Sequence, residues 1–334
     1  MNDNISMLEE SSAAPVSLTN KSLSVVIACY RDGGSILEMY RLLKEYLPVI
    51  TPNYEIIFVN DASPDDAEEK LEKIALEDNK VVVVNHTRNF GSQNAFISGM
   101  SVAKGDAVVL MDGDLQDPPR LIPELAKKWL EGYEIIYGQR VKRIESLSRQ
   151  LAYKTFYRLF RRMAQFSIPL DAGDFSLMDR KVYSALLTNF KERLTFLRGL
   201  RAYTGYKSIG VPYIRDMRYD GTTTNSLRNN INWAKLAIFS FSKKPLEYIS
   251  FIALLCIIAS FLIGVYFFIS YILHGGKTPS GFMTILLILL SLGGINLLCL
   301  SIIAEYIGHI YDEVKYRPRY IIRKIIDNRG NLHD

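Results

Sequence analysis

An α/β fold, built on a mostly parallel sheet with helices on both faces, is predicted by three features of this sequence. The runs Leu23 to Tyr30, Tyr54 to Val59, Val81 to Val84 and Ala107 to Met111 are apolar almost throughout instead of alternating. Strands of that kind are covered on both sides, as in parallel sheets. Stretches with apolar residues at helical spacing separate them, which is the alternation of an α/β domain. Polar clusters sit at the carboxyl end of each run, where open sheets of this class bind ligands.

The elements follow in order. After the first run, Arg31-Asp32-Gly33-Gly34 makes a turn into a helix that places Ile36, Met39, Tyr40, Leu43 and Leu47 on one face. The second run closes on Asn60-Asp61-Ala62-Ser63-Pro64-Asp65-Asp66, and a helix through Leu71, Ile74 and Ala75 leads to the third. The loop His86 to Gly91 and a helix to about Ala103 precede the fourth. A fifth strand, Glu134 to Tyr137, leads directly into Gly138-Gln139-Arg140. From about Ser146 to Phe166 a helix is expected with Lys154, Arg158, Arg161 and Arg162 on one side and Tyr153, Phe156, Phe160 and Met163 on another. That division suits either a helix lying in a lipid headgroup layer or a surface helix with a core-facing stripe. Asn225 to Phe241 repeats the pattern with Leu227, Ile231, Ala234, Ile238 and Phe241.

Two stretches, Tyr248 to Leu273 and Phe282 to Ile303, carry no charge and exceed the ~20 apolar residues that a helical membrane span needs. Lys243 and Lys244 precede the first; Lys315, Arg317, Arg319, Arg323 and Lys324 follow the second, while the connecting loop His274 to Gly281 has only Lys277. The positive-inside rule then puts both termini and the α/β domain on the cytoplasmic side of the cell (inner) membrane. Glu305, just past the second span, is expected to pair with a neighbouring base. The organisation expected is a disordered tail over 1–21, an α/β domain over 22–224, a juxtamembrane helix over 225–245, a two-helix hairpin over 246–311 and a basic cytoplasmic tail over 312–334.

The chain has 334 residues, 49% of them hydrophobic, enough for one large core and a further unit. Its net charge of +5 is modest and crowds near the spans, so a lipid bilayer is the expected partner and no nucleic acid is. Residues 1–21 lack the apolar run of a secretory signal. Cys29, Cys256 and Cys299 lie in apolar runs without metal or disulfide spacing, which points to packing roles.

The chemistry centres on Asp112-Gly113-Asp114-Leu115-Gln116-Asp117-Pro118-Pro119 at the end of the fourth strand. Two carboxylates one residue apart, where the chain turns out of a strand, can both reach one cation. Such a pair suits a hard divalent ion that keeps positions open for phosphate oxygens. Alone it is a weak signal, a solvated turn being the commoner meaning.

With its neighbours it is not alone. Val25-Val26-Ile27-Ala28-Cys29-Tyr30, Val59-Asn60-Asp61-Ala62-Ser63-Pro64-Asp65, Arg88-Asn89-Phe90-Gly91 with Ala95 and Gly99, and the Asp112 to Pro119 stretch together resemble the family-2 glycosyltransferases. The Asp112 to Pro119 stretch, Gly173-Asp174-Phe175, Glu305-Tyr306-Ile307-Gly308 and Arg317-Pro318-Arg319-Tyr320 resemble the polyprenyl-phosphate branch, which includes dolichol-phosphate mannose synthase and bactoprenol glucosyltransferases. The resemblance runs from about Ser22 to Tyr320. It departs from the family at Ala28, usually Pro; at Arg31-Asp32, usually Asn-Glu; and at Asn60-Asp61-Ala62, usually Asp-Asp-Gly.

What the resemblance implies is a GT-A nucleotide-binding domain and an inverting transferase. The donor would be a nucleotide diphosphate sugar, UDP-glucose or a related UDP-hexose, and the acceptor polyprenyl (undecaprenyl) phosphate. Ala28, Tyr30, Asp32, Asp61, Arg88 and Asp112 would meet the nucleotide, and Asp112, Asp114 and Gln116 would hold Mg2+ or Mn2+. Asp174 would stand beside the acceptor, forming the catalytic set with Asp112 and Asp114. An anionic acceptor needs cations, for which Arg140, Arg215 and Arg218 are the candidates, because guanidinium groups meet phosphate through paired hydrogen bonds. A lipid phosphate is largely ionised at neutral pH, its second pKa being ~6, so Asp174 is expected to position substrate or steady positive charge more than to take a proton. Rival readings are a processive polysaccharide synthase, disfavoured by two spans and no Gln-x-x-Arg-Trp motif, and an inactive membrane scaffold. Two spans enclose little, which leaves homo-oligomer formation open.

Overall fold

A computed structural model of the chain describes residues 17–141, 172–192, 196–217, 219, 242, 244–273 and 281–328. Its elements are β1 (Leu23–Cys29), α1 (Ile36–Ile50), β2 (Tyr54–Asn60), α2 (Ala67–Glu77), β3 (Val81–His86), α3 (Ser92–Val102), β4 (Ala107–Asp112), α4 (Ile122–Leu130) and β5 (Ile135–Arg140). Then come β6 (Ala172–Asp179), α5 (Arg180–Thr188), α6 (Leu197–Tyr203), β7 (Ser208–Tyr213), α7 (Lys244–Leu273), α8 (Phe282–Val314) and β8 (Ile322–Asp327). The helices expected over 146–166 and 225–241, the tail over 1–16 and Arg218 lie outside the described residues.

Eight strands form one sheet in the order β7-β5-β6-β4-β1-β2-β3-β8. β1 to β4 pair in parallel as their apolar runs predict, and β5 pairs in parallel with β7. Two insertions make the sheet mixed: β6 runs antiparallel to both β4 and β5, and β8 runs antiparallel to β3. The chain winds outward from β1 through β2 to β3, then returns to place β4 on the other side of β1. That reversal opens a crevice at the carboxyl ends of β1 and β4, the position where such sheets take ligands.

Two apolar layers hold the sheet. On one face α1, α2 and α4 pack through residues such as Ile36, Met39, Leu43, Leu71, Leu125 and Trp129. On the other, α3, α5 and α6 pack through Ala95, Phe96, Met100, Val182, Leu186 and Leu197. α3 lies unusually close to β1, because a side chain at Gly99 would meet Val26 Cγ1 at 2.3 Å. α5 begins at Asp179, whose carboxylate accepts from the Lys181 backbone N–H and the Trp129 indole.

α7 and α8 are long and apolar enough to cross a membrane, and their most apolar stretches are not covered by the rest of the chain. Phe251, Leu255, Phe261, Phe268, Leu289 and Leu297 all stand exposed on them. α8 continues past the apolar stretch through Glu305 to Val314. The segment after it is more than a basic tail. Ile322–Asp327 forms β8 and closes the β3 edge of the sheet, with Ile326 buried and Arg323 and Lys324 paired to Glu68 and Glu72 of α2. Its charges face outward, as on a protected edge strand.

Candidate active site

The crevice is built where the chain leaves β1, β2 and β4. In register Ala28 lies opposite Asp112, so the last residues of the two central strands abut. The Gly113 N–H donates to the Ala28 carbonyl at 2.9 Å, and the Ser35 hydroxyl donates to the Gly113 carbonyl at 2.6 Å. Asp32 accepts from the Tyr30 N–H at 3.0 Å, and its carboxylate lies 3.0 Å from where a Cβ on Gly113 would stand. Asp65 joins the next loop to this one, accepting from the Gly33 N–H at 2.9 Å, while Ser63 accepts from the Arg31 N–H at 2.7 Å. Arg31, Ala62 and Leu115 have φ values of 61°, 53° and 59°. Three non-glycine residues in the left-handed region, one after each of these strands, gather backbone strain at the crevice.

Acids dominate the end of β4. Asp112 is half-buried, and Asp114 and Asp117 are buried. Burial pushes the Asp112 carboxyl up to about 8, and repulsion from Asp117, Asp114 and Asp174 adds to it against the pull of Arg215. Asp117 is also raised by burial, although Arg140, Arg215 and the Tyr213 hydroxyl, which donates to it, work the other way. Arg140 Nη2 and Arg215 Nε each stand 3.8 Å from Asp117 Oδ1. The Arg215 Nε is buried and has no hydrogen-bond partner among the described residues. Gln116 is tied to the strand-end segment beyond β7 by the Asp216 N–H, which donates to its carbonyl at 3.1 Å, and Arg120 pairs with Asp216 at 2.9 Å.

Asp174, in β6, is buried and gripped by an arginine fork: Arg198 Nε donates to Oδ1 at 3.0 Å and Nη2 to Oδ2 at 2.8 Å. Burial works to raise its carboxyl, but the charge and hydrogen bonds of Arg198, with help from Arg201 and Gln93, hold it below the ordinary carboxylate range. Arg201 is buried beneath, donating to the Gly173 carbonyl at 3.0 Å and to Ser176, and burial brings its guanidinium down to about 10. Gly173 lets Arg140 come close, since a Cβ there would lie 3.0 Å from Arg140 Nη2. Arg140 therefore bridges the neighbourhood of Asp174 and that of Asp117. Neither Arg198 nor Arg201 stands out in the sequence; only the fold brings α6 against β6.

The residues expected at the nucleotide divide. Ala28, Tyr30 and Asp32 line the β1 end of the crevice, and Arg88 is exposed, its guanidinium 4.2 Å from the centre of the Phe90 ring. Asp61 is buried with both oxygens engaged: His86 Nδ1 at 2.7 Å, the Phe90 N–H at 2.8 Å and the Gly91 N–H at 2.7 Å. It frames the Arg88 to Gly91 loop instead of presenting an unengaged carboxylate to the crevice.

Chemically, the site can compensate both signs of charge. Among the described residues no three His, Cys, Asp or Glu side chains form a self-sufficient metal cage. The repulsion at Asp112 from Asp117 and Asp114 is what a hard cation would relieve, and the donor set predicted from sequence, Asp112, Asp114 and the Gln116 amide, is of the oxygen chemistry that Mg2+ or Mn2+ would take, with positions left for phosphate oxygens.

Comparison with known proteins gives the family. Residues 24–187 match the model of glycosyl transferase family 2. The uncharacterized glycosyltransferase YkcC of Bacillus subtilis is 42% identical over 93% of this chain and 97% of its own length. The SfII prophage-derived bactoprenol glucosyl transferase of Shigella flexneri is 35% identical over 92% of this chain and 99% of its own. Among solved structures, the mannosyltransferase PcManGT from Pyrobaculum calidifontis, in complex with GDP-Man and Mn2+, covers 92% of this chain and 79% of its own at 16% identity, with a TM-score of 0.45. The chain is a glycosyltransferase of family 2, related over most of its length to the bactoprenol glucosyl transferases.

Proposed function

We propose that this enzyme transfers a single sugar, with inversion, from a nucleotide diphosphate sugar to polyprenyl phosphate at the cytoplasmic face of the cell membrane. UDP-glucose or a related UDP-hexose is the donor and undecaprenyl phosphate the acceptor. The observation that carries the reading is the meeting of an acid-rich strand end with the half-buried Arg140 and Arg215, in a chain that also has two lipid-length apolar helices. Relatives named as bactoprenol glucosyl transferases support the acceptor and the sugar.

The roles follow from charge. Asp112 and Asp114, with Gln116, would hold a divalent ion, which when bound offsets the charge that grows on the departing diphosphate. Ala28, Tyr30, Asp32 and the loop framed by Asp61 would seat the nucleotide, with Arg88 at its rim. Arg140 and Arg215, turned toward Asp117 at distances too long for good hydrogen bonds, are available to a phosphate; Arg218 completes the set proposed from sequence. An ionised lipid phosphate oxygen attacks the anomeric carbon from the face opposite the leaving group, so one carbon–oxygen bond forms as another breaks and the configuration inverts. No proton need be removed. Asp174, held ionised by Arg198, can steady the positive charge on the sugar ring but is a poor proton acceptor.

Nucleotide release by the full-length protein in lipid nanodiscs tests this. Release should require lipid phosphate, stop on chelation, resume with Mg2+ or Mn2+, and give a product whose anomeric configuration is opposite to that of the donor. Release that ignores the chelator would overturn the metal assignment. Retained configuration would overturn the direct displacement.

A further inference from the structure

The motif Arg317-Pro318-Arg319-Tyr320 has no part in the chemistry above, yet it marks where the chain leaves the second apolar helix and rejoins the sheet. Arg319 donates to the Phe190 carbonyl. The Tyr320 ring stacks on the imidazole of His86, with centroids 5.6 Å apart and planes 11° from parallel, and its hydroxyl lies 3.2 Å from Ser101 Oγ on α3. Next, the Thr87 N–H donates to the Ile321 carbonyl at 3.0 Å, and β8 begins.

His86 is buried, and its two nitrogens reach Asp61 Oδ1 at 2.7 Å and Ser98 Oγ at 2.9 Å. A carboxylate can only accept, so Nδ1 carries the proton of the bond to Asp61. The ring is clamped on its face by Tyr320 and at its edge by Phe90, whose centroid is 5.6 Å away at 86°. Asp61 in turn accepts the N–H groups of Phe90 and Gly91, and Gly91 has a φ of 88°, a conformation that fixes the path of the loop.

We propose that Tyr320 is a positioning residue for the donor: by packing on His86 it fixes, through Asp61, the Phe90–Gly91 backbone that frames the nucleotide half of the site. The inference rests on the donor reading given above. The second apolar helix and the nucleotide loop are thereby joined by one short segment. The competing explanation is that the segment only stabilises the sheet edge. Arg323 separates the two, because its pair with Glu68 ties the same strand to α2.

The experiment uses full-length protein in nanodiscs, with uridine diphosphate and guanosine diphosphate as probes in equilibrium binding, and with thermal unfolding recorded in parallel. Tyr320→Ala and Tyr320→Leu should weaken binding of the preferred nucleotide about fivefold, the scale of one lost aromatic contact. Tyr320→Phe and Arg323→Ala should stay within about twofold, as should the KM for polyprenyl phosphate in every variant. Tyr320→Leu, which keeps bulk without the flat face, carries the test if Tyr320→Ala does not fold. Wild-type affinity in a folded Tyr320→Leu protein, or an equal loss in Arg323→Ala, would overturn the proposal. A folded wild type that binds neither nucleotide would overturn the donor reading beneath it.

Discussion

At the scale of single residues, the chemistry turns on how arginines are divided between the acids. Arg198 keeps Asp174 ionised. Its folded-state pKa lies below the unfolded value of ~3.9, so the pair's stabilisation is complete above that value and is lost only as pH falls through the lowered one. Between pH 6 and 9 Asp174 does not titrate, so the acidic limb of kcat/KM should not come from it. Asp174→Asn should lower kcat about 100-fold or more while keeping that limb, since it removes charge stabilisation and not a base. Recovery of the variant at high pH would restore base catalysis as the main role. Arg140, between Asp117 and Gly173, makes a different prediction. Arg140→Gln should raise the KM for lipid phosphate about tenfold and that for nucleotide sugar much less, as initial rates with each substrate varied will show. Equal effects would count against an acceptor role.

At the scale of elements, legibility followed locality. β1 to β4 are apolar along nearly their whole length, and the acids at their ends are punctuation that a reader of the sequence can see. β6 is legible in the sequence only as the motif Gly173-Asp174-Phe175, because a strand that mixes glycine and acids with apolar residues has no clean period. β8 reads as a basic tail in the sequence because Arg323 and Lys324 mask an edge strand whose buried contact is Ile326. The Arg198–Asp174 fork and the Tyr213–Asp117 bond join residues far apart in sequence, so no local pattern announces them. If β8 is integral, Ile326→Ala should cost about 2–4 kcal/mol and lower the thermal midpoint by several degrees. An unchanged midpoint would mean that β8 does not stay docked in solution.

At the scale of the molecule, two kinds of surface meet. The α/β domain has two covered faces and a polar crevice, whereas α7 and α8 expose aromatic and aliphatic side chains along their length. The proposed lipid acceptor would bring those surfaces into one reaction: its phosphate would meet the arginines and its chain the bilayer. The most direct measurement is product mass. Full-length protein in nanodiscs would be given undecaprenyl phosphate, Mg2+ or Mn2+ and a panel of UDP- and GDP-sugars, and the lipid fraction read by mass spectrometry. The expected result is one lipid product heavier than the acceptor by a single sugar residue, formed with a UDP-hexose and lost in Asp112→Asn. No lipid-linked product with any donor, or a ladder of longer chains, would contradict single-sugar transfer to a polyprenyl phosphate.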